Sequence, residues 1–138
     1  MPVVDASVVV DWVAPGVDRS APAGRLLKRL ARAGDAVLAP RLLLEEVANA
    51  LLVGVRRERW SGTDADSAFG ALRALPVRVV DEPRDLDRAF ELSRRYDEHP
   101  LYDMVYVAVA ERLGDQLFTA DDVLRRRLVL LPFVVPPG

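Results

Sequence analysis

Cysteine is absent from the 138-residue chain, which excludes disulfides, thiolate catalysis and cysteine-ligated zinc or iron–sulfur centres together. Histidine occurs once, as His99, so a multi-histidine zinc site is excluded as well. No apolar run approaches the roughly 18 residues of a membrane-spanning helix. The opening Met1-Pro2-Val3-Val4-Asp5 carries an acid at residue 5, where a signal peptide would continue into a long apolar stretch. The expected location is therefore cytoplasmic. Positive charge is not in excess either: 19 basic against 21 acidic residues leave a net charge of −2, without the bias of a protein that binds nucleic acid by charge alone. Two divalent cations among the acids would shift that formal count to about +2 and reverse the local field. Lysine is nearly missing, with Lys28 as its sole instance. That absence counts against a receiver-type or phosphatase domain with an aspartyl nucleophile, which needs a lysine late in the chain. Gly-x-Gly-x-x-Gly and Gly-Lys-[Ser/Thr] motifs are absent too, which removes dinucleotide-binding and P-loop chemistry.

What remains has the balance of a folded protein. A content of 51% hydrophobic and 29% charged residues excludes disorder, and the length fits a single domain over residues 1–138. Short β-branched runs at Pro2 to Val4, Val37 to Ala39, Val77 to Val80, Gln116 to Thr119 and Phe133 to Val135 predict strands. Between them, 3.6-residue periodicity predicts helices over Val8 to Ala14, Ala21 to Ala33, Arg41 to Arg57, Asp64 to Leu75, Arg84 to Asp97 and Tyr102 to Leu113. Strands alternating with helices imply an α/β fold, a central parallel sheet flanked by helices on both faces. The two helices within Arg41 to Leu75 predict a hairpin arm, a place for self-association.

Open α/β sheets put their ligand sites at the carboxyl ends of strands, and acids stand at two such ends. Asp5 closes the first strand in Val3-Val4-Asp5-Ala6-Ser7, with Ser7 placed to cap the helix that follows. Asp121 and Asp122 close a late strand in Phe118-Thr119-Ala120-Asp121-Asp122. Either end alone is satisfied by a helix cap, favoured by the helix dipole. Two further acids lie on apolar helices. Asp103 is the only acid of Tyr102-Asp103-Met104-Val105-Tyr106-Val107-Ala108-Val109-Ala110, so it is either a cap or directed into a site. Glu46 has Leu42, Leu43, Asn49 and Ala50 as its helical neighbours and faces inward, whereas Glu45 pairs outward with Arg41. Burying a bare carboxylate costs several kcal/mol or forces its protonation, so Glu46 requires a partner or a cation, with Asn49 available to orient it. Carboxylates without histidine or cysteine select Mg²⁺ or Mn²⁺. Such a cation supports phosphodiester cleavage through an activated water, with no side-chain nucleophile.

In this order Val-Val-Asp-Ala-Ser, Glu-Val-Ala-Asn, Tyr-Asp-Met-Val-Tyr-Val-Ala-Val-Ala-Glu-Arg-Leu-Gly and Thr-Ala-Asp resemble PIN-domain proteins, and more narrowly the VapC toxins of bacterial toxin–antitoxin pairs. The resemblance runs from residue 3 to about residue 128 and is most specific from Tyr102 to Asp121. It implies a three-layer PIN-like sandwich and Mg²⁺- or Mn²⁺-dependent endoribonuclease activity leaving 5′-phosphate and 3′-hydroxyl ends. The acids it assigns to catalysis and metal binding are Asp5, Glu46, Asp103 and Asp121. Ser7 and Asp122 become supporting residues, and Thr119 the polar residue that positions a carboxylate or water. It further implies an RNA substrate, a homodimer and a cognate antitoxin that wraps the toxin. The alternative is a PIN-like protein-binding module with weak catalysis.

Other residues draw blander readings. Arg56-Arg57-Glu58-Arg59, Arg94-Arg95 and Arg125-Arg126-Arg127 read first as solvated helix faces and helix-end charges, ahead of phosphate contacts. Trp12 and Trp60 read as packing anchors, and His99 as a loop histidine.

Overall fold

Each of the five β-branched runs becomes a strand, and the periodic stretches between them become helices, in the computed structural model, which describes residues 1–138. The order is β1 (Val3–Val4), α1 (Ala6–Val13), α2 (Pro22–Ala33), β2 (Val37–Pro40), α3 (Leu42–Arg56), α4 (Gly62–Ala74) and β3 (Val77–Val80). It continues with α5 (Pro83–Arg95), α6 (Leu101–Leu113), β4 (Leu117–Phe118), α7 (Asp122–Arg127) and β5 (Val134–Val135).

All strand pairs are parallel, in the order β3-β2-β1-β4-β5. Val3 is paired with Leu38 on one side and Leu117 on the other, which makes β1 the centre. The chain winds outward from β1 through β2 to β3, then crosses back to lay β4 on the opposite side of β1. At that reversal the connections leave in opposite directions and open a crevice beyond the strand ends. Successive strand residues point to opposite faces, and Val3 and Val4 are both fully buried, so both faces of the sheet are covered. Helix α6 lies against β1, β2 and β4 with α5 behind it, while α1 packs on α2, α3 and α4. The sheet is the middle of three layers, and one core joins Val3, Leu38 and Leu117 to Leu26, Met104 and Val107.

Side-chain caps set two helix starts earlier than periodicity predicts. Helix α1 begins at Ala6 and not at Val8, and its cap is Asp5, whose side chain accepts the Val8 N–H; Ser7 lies inside the first turn. Helix α4 begins at Gly62, because the Ser61 hydroxyl accepts the Asp64 N–H at 3.0 Å. Helix α6 stops at Gly114, whose φ of 65° is the left-handed conformation that lets the chain turn into β4. Helices α3 and α4 pack against each other as an arm over a small cluster of Ala14, Leu51, Ala65 and Ala68. Trp60 in the connecting loop folds back on α3 and donates from Nε1 to the Leu51 carbonyl at 2.9 Å. Its ring lies directly over Gly54, leaving no room for a side chain there.

Candidate active site

The ends of β1 and β4 are stitched together by hydroxyls. Asp5, 6% exposed, accepts from the Ser7 hydroxyl and from the Val8 N–H on Oδ1. The same Ser7 oxygen accepts the Ala120 N–H at 2.9 Å, tying α1 to the turn after β4. Thr119, fully buried, accepts the Asp121 N–H on Oγ1 at 3.1 Å, and the same oxygen lies 3.4 Å from the Ser7 hydroxyl. Asp121 caps α7 by accepting the Leu124 N–H on Oδ1 at 3.0 Å. Asp5 and Asp121 are therefore both caps, and each spends one identified oxygen in that role.

Glu46 and Asp103 are held by side chains. Helix α6 has Pro100 at its N-cap position and no side-chain cap, so Asp103 in its first turn serves no capping function. Its Oδ2 lies 2.7 Å from His99 Nε2, whose side chain is only 9% exposed. Asp97 and Glu98, with φ of 57° and 53°, are two consecutive non-glycine residues in the left-handed region. That conformation costs roughly 1–2 kcal/mol per residue, and it delivers His99 to Asp103. Glu46 projects from α3 toward α6, where the Tyr106 hydroxyl donates to its Oε1 at 2.7 Å. Glu45 faces solvent and pairs with Arg41 at 3.4 Å.

Electrostatically, Asp5, Glu46 and Asp103 form one group. Burial pushes the Asp5 carboxyl up; bonds from Ser7, Thr119 and Val8 oppose this, and the Asp103 charge adds to it. Glu46 is likewise raised, first by burial; the Tyr106 bond opposes that shift, and the charges of Asp103 and Asp5 reinforce it. Tyr106 is held well above the usual phenol range by burial and then by its bond to Glu46. Every donor in the cluster is a carboxylate oxygen, the ligand class of hard divalent cations. No three of these side chains are already drawn together as a metal cage; each is tied by one oxygen to its own protein partner. The second oxygens of Glu46, Asp103 and Asp121 accept no hydrogen bond from the protein. The donor chemistry thus fits a divalent cation, with the acids not yet gathered on one.

The remaining predicted residues divide. Ser7 and Thr119 lie inside the stitched network. Asn49 is exposed and does not orient Glu46; Tyr106, reaching across from α6, takes that place. Asp122 points outward to Arg125 and away from the other acids. His99 is in a loop as expected, yet it touches the site. Its spacing four residues before Asp103 was the available signal, obscured by Pro100 between them. Trp12 and Trp60 are packing anchors, with Trp12 Nε1 donating to the Ala23 carbonyl at 2.7 Å. A cleft of about 450 Å³ opens beside Glu46, which lines it with Ser7, Val10, Asp11 and Ala120. It adjoins a second of about 430 Å³ through Asp11 and Ala120, which both clefts share.

Comparison with known proteins gives a family-model match, PIN domain, over residues 3–128. Among solved structures the chain is similar to a toxin-antitoxin complex from Klebsiella pneumoniae, at 18% identity and a TM-score of 0.67, covering 100% of this chain and 98% of that one. It is also similar to VapC20 of Mycobacterium tuberculosis, described as a sarcin-ricin loop cleaving toxin, at 22% identity and a TM-score of 0.65, with 95% of each chain covered. No curated protein matches the chain. At these identities the structural likeness is one of fold.

Proposed function

Because this chain belongs to the PIN-domain family, we propose that it is a divalent-cation-dependent endoribonuclease of the VapC type, the toxin of a type II toxin–antitoxin pair. The observation that carries the reading is the coupled set of Asp5, Glu46 and Asp103, with Asp121 on the adjoining strand end, at the crevice where the sheet order reverses. Bound by these four carboxylates, Mg²⁺ or Mn²⁺ would supply Lewis-acid activation of water and charge neutralisation at the phosphodiester.

The chain's own contribution is placement. Asp5 and Asp121 are fixed by the helices they cap, and Glu46 and Asp103 by Tyr106 and His99. Ser7 and Thr119 hold the two strand ends in register, so the acids on them keep one spacing. The adjoining clefts would give an extended strand of RNA a path past Glu46. VapC20, a sarcin-ricin loop cleaving toxin of similar fold, supports RNA as the substrate class here. The Klebsiella neighbour is a toxin-antitoxin complex, which supports an antitoxin partner. Exposed Leu52 and Phe69 on the α3–α4 arm support a homodimer formed through that arm. No helix is long and apolar enough to cross a membrane, which fits action on cytoplasmic RNA.

Inducing the wild type and Asp103→Ala in bacteria and mapping cellular RNA ends tests the reading. New 5′-phosphate ends are expected with the wild type alone. End profiles that are identical in induced and uninduced cells would instead favour the PIN-like protein-binding module.

A further inference from the structure

Two of the four acids owe their positions to helix termini, and the other two do not. Asp5 and Asp121 are fixed because each completes a helix start. Glu46 lies in the interior of α3, and Asp103 is in the first turn of a helix with no side-chain cap, so neither carboxylate is fixed by a bond to a helix-end N–H. Each meets one side-chain donor instead. Tyr106 is 2% exposed, and its hydroxyl makes its only hydrogen bond to Glu46 Oε1, from the helix that also carries Asp103. His99 reaches Asp103 Oδ2 from a turn that accepts two left-handed residues, Asp97 and Glu98, to place it. Strained backbone persists only where the surroundings hold it, and here what it holds is an acid's partner. In both pairs the opposite oxygen, Oε2 of Glu46 and Oδ1 of Asp103, accepts nothing from the protein. Glu46 meanwhile lines the open cleft with Ser7 and Ala120.

We propose that Tyr106 and His99 are positioning residues of the acid site: each occupies one oxygen of an acid, Glu46 or Asp103, and leaves the other as the oxygen available to a divalent cation. The inference rests on the cation-dependent reading above. Removing a partner that orients a metal-binding carboxylate typically costs 10- to 100-fold in metal affinity. A merely structural tyrosine or histidine would lower stability and leave affinity in the surviving folded protein unchanged.

The test is calorimetric titration of Mn²⁺ into purified wild type, Tyr106→Phe, His99→Ala and Glu46→Ala, with circular dichroism and thermal melts of the cation-free proteins. Tyr106→Phe keeps the buried ring, and His99→Ala lies in a loop, so one variant remains informative if the other does not fold. Both are expected to fold, to bind Mn²⁺ about tenfold or more weakly, and to recover RNA cleavage as Mn²⁺ is raised, whereas Glu46→Ala does not recover. Wild-type affinity in both folded variants, or a loss of cleavage that saturating Mn²⁺ does not restore, would overturn the positioning role. A wild type that binds no Mn²⁺ would overturn the cation reading itself and this inference with it.

Discussion

At Asp5 a carboxylate that begins a helix is also buried among other acids, and the two roles pull its ionisation in opposite directions. Capping bonds from Val8 and Ser7 favour the charged form, while burial and the Asp103 charge oppose it, and the net effect is upward. A carboxyl raised on folding stabilises the native state when protonated. That contribution is complete below its unfolded value of about 3.8 and is lost as pH rises through the native value. Asp5→Asn keeps an acceptor for the cap and removes the charge. Without divalent cations it should melt above wild type at pH 7.5, by about 3 to 5 °C per kcal/mol of relieved charge burial, and the gap should narrow toward pH 4. Melting curves across that range decide the point, and a variant no more stable than wild type at pH 7.5 would contradict it. Asp103 and Glu46 stand out in the sequence because they interrupt apolar helices, and Asp5 and Asp121 because they follow strands. Their tethers stand out less. The bond from Tyr106 to Glu46 joins residues 60 apart, and such a pairing exists only once α3 and α6 have docked. The His99 pairing depends on a left-handed turn at Asp97 and Glu98, two residues that ordinarily avoid that conformation.

Among the elements, the arm formed by α3 and α4 shows how a single glycine sets packing. Gly54 lies under the Trp60 ring, where any Cβ would overlap the indole. Gly54→Ala gains helix propensity, yet it must displace Trp60 and break the bond to the Leu51 carbonyl. Overpacking of this kind costs typically about 1–3 kcal/mol, so the variant should melt several degrees lower with altered tryptophan fluorescence. An unchanged or higher melting temperature would show that the loop repacks freely. Element type and order were readable throughout, because alternating β-branched runs and periodic helices leave one consistent arrangement, a parallel sheet between helix layers. Element ends were less readable where a side-chain cap decided them. Periodicity starts α1 at Val8, since Val8 is the first apolar residue facing the core, while the chain begins turning at Ala6 on the Asp5 cap. Strand order was out of reach of local pattern: nothing in Leu117-Phe118 itself states that it pairs with β1 and not with β3.

For the molecule as a whole, a net charge of −2 and a concentration of acids at the crevice make an unlikely binder of RNA until cations enter. The β1–β4 reversal brings Asp5, Glu46 and Asp103 within electrostatic reach of one another, and the clefts that meet at Asp11 and Ala120 run past Glu46. On the proposed function, catalysis depends on a divalent ion and on the carboxylates that would hold it. Its most direct test is cleavage of total cellular RNA by purified protein in Mg²⁺, in EDTA, and in Mn²⁺ restored after EDTA, with Asp103→Ala alongside. Expected are 5′-phosphate products in Mg²⁺, none in EDTA, recovery with Mn²⁺, and a folded Asp103→Ala slower by about 10³-fold or more, the effect of losing roughly 4 kcal/mol of transition-state stabilisation. Undiminished cleavage in EDTA, or wild-type rates from folded Asp103→Ala, would contradict it.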